Sequence, residues 1–356
     1  MLKARRCVRE MREYHSPLSS PAIDLRLDMN ESTTGCSPRV LAKLRSLDAK
    51  TLALYPRREP AEKLVAGFLG VEADQTLITN GADEGIDLLC RAYLEIQSEI
   101  IVITPAFAMY EVFAQLEDAK VVRVPAGPDF SFPLEQVLQA ISPQTRIIVI
   151  CNPNNPTGLA VQRESIMKVI EAAPYAAVLL DEAYFDFYGE TMMDQIGKLE
   201  NLFIARTFSK AYGLAGMRLG VMVGDQKQMS VLRRMATPFN VNAFAVECLA
   251  EALADREFVT AYIEQVRKSR GWLQRELEEM NFRCWPSHAN FILCRMGDAK
   301  RAILEAVRAR GIALRDRPDC PGCVRITIGT QKEMERLVEE LKHVLAALPS
   351  SEQAVR

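Results

Sequence analysis

No apolar run in the chain approaches the roughly 18 residues that a membrane-spanning helix needs. The basic opening (Lys3, Arg5, Arg6, Arg9, Arg12) is not followed by the apolar core of a signal peptide. A soluble, cytoplasmic protein with no membrane partner is therefore expected. A net charge of -2 over 356 residues leaves no basic surplus for binding nucleic acid. There are only three histidines (His15, His288, His343), and they are scattered. Internal repeats and low-complexity tracts are also missing. The nine cysteines are odd in number, and four of them sit in apolar runs (Cys90, Cys151, Cys248, Cys294), as small buried hydrophobes do. Cys320-Pro321-Gly322-Cys323 stands apart. A redox or metal pair would need partners that no second pair supplies, so a tight Pro-Gly turn before a strand is the expected reading.

With 49% hydrophobic and 25% charged residues the composition is that of a globular protein, and the length suggests two domains. Residues 1–40 read as irregular and polar. Leu41–Gly70 reads as helical, interrupted at Tyr55-Pro56. Short β-branched runs then alternate with helical segments: Thr76–Thr79, Ile100–Ile103, Lys120–Val124, Arg146–Ile150, Ala177–Leu180, Leu202–Ala205 and Leu219–Val223. Such alternation predicts an α/β layer with a mainly parallel sheet. After about Pro238 the pattern changes. Val246–Glu279 predicts a long amphipathic helix interrupted by Gly271, followed by strands near Phe291–Cys294 and Val324–Ile328 and a helix over Lys332–Ala347. That is the pattern of a smaller α+β domain.

Ligands of an open α/β sheet bind beyond the carboxyl ends of its strands. Four apolar runs here end in polar clusters. Thr76–Thr79 leads into Asn80-Gly81-Ala82-Asp83 at a helix start, and Arg146–Cys151 into Asn152-Pro153-Asn154-Asn155-Pro156-Thr157-Gly158. Ala177–Leu180 leads into Asp181-Glu182-Ala183-Tyr184, and Leu202–Ala205 into Thr207-Phe208-Ser209-Lys210, with Arg218 eight residues beyond the lysine. A lysine amine can condense with an aldehyde, while hydroxyls and a guanidinium grip a phosphate. Together these point to pyridoxal 5'-phosphate. In that reading Lys210 carries the aldehyde and shuttles protons. Asp181 holds a proton on the ring nitrogen, and Tyr184 and Asn155 bond the phenolic oxygen. Gly81, Ala82 and Asp83 cradle the phosphate at a helix N-terminus, with Thr207, Ser209 and Arg218 as further ligands. Tyr110 stacks on the ring. Singly, each has a plainer reading as a loop, a helix start or a core edge; their shared placement at strand ends argues for one site.

The chain resembles the fold-type I, pyridoxal phosphate-dependent aminotransferases, and among them the histidinol-phosphate aminotransferase family. The matching segments are Asn-Gly-Ala-Asp-Glu-Gly-Ile (80–86), Asn-Pro-Asn-Asn-Pro-Thr-Gly (152–158), Asp-Glu-Ala-Tyr (181–184) and Ser-Lys-Ala-Tyr-Gly-Leu-Ala-Gly-Met-Arg (209–218). Pro-Phe-Asn-Val-Asn (238–242), Ala-Asn-Phe-Ile-Leu (289–293), Leu-Arg-Asp (314–316) and Val-Arg-Ile-Thr-Ile-Gly-Thr (324–330) also match. The resemblance implies a large domain (41–240) with a mostly parallel seven-stranded sheet. It also implies a small α+β domain combining both chain ends (13–40 and 241–348), with flexible tails at 1–12 and 349–356. It further implies a homodimer in which Tyr55 reaches the partner's site. Arg315 and Arg325 would bind a substrate phosphate or carboxylate, joined by Asn30 and Tyr14. The family's Asn-Glu-Asn-Pro reads here as Asn30-Glu31-Ser32-Thr33. The expected reaction exchanges L-histidinol phosphate and 2-oxoglutarate for imidazole-acetol phosphate and glutamate. An aromatic or broad amino-acid aminotransferase and a threonine-phosphate decarboxylase are the alternatives on the same scaffold. A pyridoxal phosphate-binding transcription regulator would need a DNA-binding module, and residues 1–40 show no helix-turn-helix pattern.

Overall fold

The computed structural model describes residues 2–11 and 22–347. The first strand, β1 (Leu25–Leu27), lies inside the stretch that reads as irregular. Seven strands follow: β2 (Thr76–Asn80), β3 (Glu99–Thr104), β4 (Lys120–Pro125), β5 (Thr145–Cys151), β6 (Ala177–Asp181), β7 (Leu202–Thr207) and β8 (Leu219–Gly224). They form one sheet in the order β2-β8-β7-β6-β5-β3-β4. Only β8 runs against its neighbours; the others pair in parallel. The expected mostly parallel seven-stranded sheet is therefore present.

The near-continuous apolar runs follow from burial on both faces. Ile78, Ile101, Ile148, Val178, Ile204 and Val221 face one core. Their chain neighbours Leu77, Ile100, Val149, Leu179, Phe203 and Met222 face the other, with residues of the helices Ala82–Tyr93, Met109–Leu116 and Gln226–Met235. Gly220 is required where β8 meets the first of those helices. A Cβ there would lie 2.4 Å from the Ala82 nitrogen, so only glycine lets the helix start sit against the sheet.

The second sheet has the order β1-β11-β12-β10-β9, with β9 (Arg283–Cys284), β10 (Phe291–Arg295), β11 (Ile312–Asp316) and β12 (Cys323–Thr327). β1 pairs in parallel with β11, so the N-terminal segment supplies an edge strand to the C-terminal sheet. Three residues are too few to show an alternation in the sequence, and the long-range pairing alone makes them a strand. β9 and β11 likewise go beyond the strands expected from the sequence. One face of this sheet (Ile292, Cys294, Val324, Ile326) packs into the core with the helices Arg256–Glu279, Lys300–Ala309 and Gln331–Ala347.

The long-helix expectation needs correction. The break falls at Asp255, between the helices Ala243–Ala254 and Arg256–Glu279, and Gly271 lies inside the second without interrupting it. Asp255 ends one helix and caps the next, accepting the Phe258 N–H at 3.4 Å and the Ser37 hydroxyl. A capping carboxylate thus outweighs one helical glycine, whose cost is only about 1 kcal/mol. The interruption at Tyr55-Pro56 is present, between Ala49–Ala53 and Arg58–Leu69.

Candidate active site

In the large sheet β3 has β4 on one side and β5 on the other, so the chain reverses its winding direction there. That is where doubly wound sheets open a crevice. A cavity of about 1360 Å³ lies over these strand ends and is closed on its far side by one face of the small sheet. All the described site residues read from the sequence line it except Gly81, Asn155's neighbours in the turn, and Tyr55; Asn30, Ala82, Asp83, Tyr110, Asn155, Asp181, Tyr184, Thr207, Ser209, Lys210, Arg218, Arg315 and Arg325 all do. Tyr14 lies outside the described residues.

Asp181, the last residue of β6, is 4% exposed. Its carboxylate accepts the Tyr110 hydroxyl on one oxygen and the Ala183 N–H at 3.0 Å on the other. Burial pushes its pKa up to about 6, against the pull of those two donors. Tyr110 is 1% exposed and its hydroxyl is committed to Asp181. The sequence reading gave it only a ring-stacking role. Phe107, edge-on to Tyr110 at 5.6 Å and less buried, lines the same cavity.

Lys210 follows β7 at a turn, and its amine donates to the Met29 carbonyl at 3.1 Å. Burial, helped by the nearby Arg325, lowers its pKa to about 8, which brings the neutral amine within reach near physiological pH. Thr207 donates to the Ser209 hydroxyl at 2.9 Å and accepts the Ser209 N–H at 3.1 Å, so the two hydroxyls hold one another in place. Arg218 donates to Asp83 at 3.1 Å and lies across Gly81. Gly81 has φ +78°, and a Cβ there would come within 2.6 Å of the Arg218 guanidinium. No side chain caps the helix Ala82–Tyr93 that starts here, so its first-turn N–H groups are available to an anion.

The substrate side is tied to the cofactor side by contacts that sequence spacing does not reveal. Arg325, 5% exposed, donates to the Asn155 side-chain oxygen at 2.7 Å and to the Asp28 carbonyl at 2.6 Å. Asn30 donates to the Tyr184 hydroxyl at 2.9 Å and is itself held by Thr327 and Asn290. Burial raises the Tyr184 pKa to about 12. Arg315 and Arg325 are directly opposite on β11 and β12, so both project from the cavity face of the sheet. Close by, Asp316 pairs with Lys300 at 2.7 Å and Asp319 with Arg317. The sequence also gave no notice of the buried Glu182–Arg206 pair at 2.7 Å, which joins the end of β6 to β7 just beneath the site.

Tyr55 is elsewhere. It is 75% exposed and stacked on Phe239 at 4.2 Å, on the surface and outside its own chain's cavity. Cys320 and Cys323 form the expected turn, with Gly322 at φ +75° and the Cys323 N–H donating to the Cys320 carbonyl at 2.9 Å. Both thiols are buried, and burial pushes Cys320 up to about 12. Among the described residues no helix is long and apolar enough to cross a membrane.

Residues 22–341 match the model of the family described as aminotransferase class I and II. The chain is 35% identical to the histidinol-phosphate aminotransferase of Geobacillus sp. (strain WCH70), covering 90% of each chain. It is 32% identical to that of Dehalococcoides mccartyi (strain CBDB1), covering 89% of each. The fold is also similar to the crystal structure of histidinol-phosphate aminotransferase from Sinorhizobium meliloti in complex with pyridoxal-5'-phosphate. There the TM-score is 0.89 at 23% identity, over 98% of this chain and 99% of that one.

Proposed function

The chain belongs to the class I and II aminotransferases, on their histidinol-phosphate aminotransferase branch, and we propose that it transfers the amino group of L-histidinol phosphate to 2-oxoglutarate. The products are imidazole-acetol phosphate and glutamate, a step of histidine biosynthesis. The observation that carries the substrate choice is the cross-strand pair Arg315–Arg325, facing the cavity that holds Lys210. Like charges directly opposite on a ladder repel, and a doubly charged phosphate between them turns that repulsion into two charge-assisted contacts.

The cavity fits pyridoxal 5'-phosphate. A Cβ-free cradle at Gly81, an uncapped helix start, paired hydroxyls and Arg218 meet a phosphate at one end. A buried carboxylate and a half-buried amine of lowered pKa meet the ring and the aldehyde. When bound, the cofactor supplies the carbonyl that receives the amino group and a ring that stores the electron pair released at the substrate carbon. Asp181 would hold the proton on the ring nitrogen, its carboxylate kept in line by Tyr110. Phe107 is better exposed than Tyr110 to take the ring face. Tyr184 and Asn155 would bond the phenolic oxygen. Lys210 then moves the proton at the reacting carbon, as base and then as acid, and its pKa near 8 suits both roles. Arg325, anchored on Asn155 and Asp28, would also take the carboxylate of glutamate or 2-oxoglutarate in the other half-reaction.

The same reading gives a cytoplasmic homodimer. Tyr55 belongs to an exposed apolar patch with Leu52, Leu54 and Phe239, and a second copy covering it would carry Tyr55 toward the partner's cavity. Substrate choice is tested by mixing the loaded enzyme singly with histidinol phosphate, phenylalanine and threonine phosphate, without 2-oxoglutarate. Histidinol phosphate should discharge the cofactor's long-wavelength absorbance fastest. Far faster reaction with phenylalanine would overturn the substrate while leaving the aminotransferase chemistry standing.

A further inference from the structure

The small sheet carries more positive charge on its cavity face than one substrate phosphate needs. Side chains opposite one another on a ladder share a face, as do residues two apart on one strand. Arg315 is opposite Arg325, and Arg325 is opposite Leu293. Arg295, two residues from Leu293, is opposite Arg283 on the edge strand β9. Four arginines from four adjacent strands therefore project from one face, in two cross-strand pairs, and all four line the same cavity. The inner pair lies toward Lys210. The outer pair lies toward the open edge, where Arg283 and Arg295 are both exposed.

Arg283 is held in place and is not merely a solvated fringe. The Arg283 guanidinium lies 5.2 Å over the ring of Trp285. Trp285 packs in turn with Leu293, Cys320, Cys323 and Phe130, so the floor beneath Arg283 is apolar. Among the described residues the one acid in contact is Asp129, from the 127–131 turn of the large-sheet side, and it pairs with Arg283. Both members of that pair are more than half exposed, which makes it a weak and readily exchanged contact. Arg295 has no hydrogen-bond or ion-pair partner among the described residues. Two arginines directly opposite with less than one counterion apiece repel one another, and an anion between them would relieve that repulsion.

We propose that Arg283 and Arg295 form an outer anion station at the cavity mouth, which takes the doubly charged end of an incoming substrate before it reaches Arg315 and Arg325. The ligand class is a small dianion, either a phosphate monoester or a dicarboxylate, and it displaces Asp129 from Arg283. The identity of the dianion rests on the proposed function; the existence of the station does not.

The test compares Arg295→Gln with Arg301→Gln in the pyridoxal phosphate-loaded enzyme. Arg301 is 88% exposed on the helix Lys300–Ala309, does not line the cavity and pairs with Glu305, so it controls for net charge. At low ionic strength, where the screening length is about 30 Å, R295Q should lower kcat/KM roughly three- to tenfold for histidinol phosphate and for 2-oxoglutarate. The loss should fall on kcat/KM more than on kcat and fade toward 1 M salt, where that length is about 3 Å. R301Q should track the wild type throughout. A fall for only one of the two substrates would assign the station to that dianion. Independently of turnover, inorganic phosphate followed by its 31P resonance should bind the wild type at two classes of site, the weaker of which R295Q removes. Equal salt profiles for R295Q and R301Q, or phosphate binding unaltered by R295Q, would overturn the station. Failure of histidinol phosphate to react, with phosphate binding still lost in R295Q, would overturn the substrate alone.

Discussion

At the scale of single residues, the site works through charges taken partly out of water. Asp181 has a pKa raised from 3.8 to about 6 because burial disfavours its anion more than Tyr110 and Ala183 favour it. In the cofactor-free protein the folded state therefore holds this proton more tightly than the unfolded chain. Stability contributed at Asp181 is present at low pH and lost as pH rises through about 4 to 6. Asp181→Asn carries no such charge. In denaturant titrations of the cofactor-free proteins, the variant should gain on the wild type by about 1–3 kcal/mol between pH 4 and pH 7. A pH-independent difference would place the raised pKa elsewhere. Cofactor binding should show the opposite preference, because the ring nitrogen's proton needs the carboxylate. Asp181 and Lys210 were both legible in the sequence, since one ends a buried strand and the other closely trails one. Their shifted pKa values were not, since burial is a property of the fold.

At the scale of elements, the strands of the large sheet were readable because burial on both faces leaves β-branched runs. The edge strand β1 was not, because its three residues become a strand only by pairing with β11, nearly three hundred residues away. The Asp255 break illustrates the same limit. Gly271 has the more visible helix-breaking signal, yet the chain turns where a carboxylate can cap one helix and bind Ser37 of another segment. Replacing Asp255 with Ala should cost about 1 kcal/mol and lower the Tm by roughly 1–2 °C, measured by calorimetry. Gly271→Ala should instead be neutral or stabilising, since a glycine inside a helix costs up to about 1 kcal/mol relative to alanine. If D255A were silent and G271A destabilising, the cap would not be what sets the break.

At the scale of the whole molecule, Tyr55 decides whether one chain is enough. It is exposed and outside its own chain's cavity, stacked on Phe239 in the patch assigned to the proposed dimer contact. Lys210→Ala and Tyr55→Ala should each impair turnover as pure proteins. Unfolding and refolding the two together should restore activity. A mixed dimer has one site with both Lys210 and the partner's Tyr55 intact, so random pairing gives roughly a quarter of wild-type activity. Absence of rescue, with sedimentation showing a monomer, would remove the partner's tyrosine from the site.

The sequence by itself determined the chemistry. A lysine, a buried acid, an amide turn and a helix-start cradle each sit at the end of an apolar run, and the parallel sheet puts such ends along one edge. That rule is local, because the strand and its following turn are contiguous. The tertiary structure alone decided which cations share one face of the cavity. Arg315 faces Arg325, and Arg295 faces Arg283, only through the register of an antiparallel ladder. The clasp of Arg325 on Asn155 likewise spans 170 residues. Contacts at such separations leave no periodic trace in the chain, because the residues that make them are neighbours only after the two sheets have closed on the cavity.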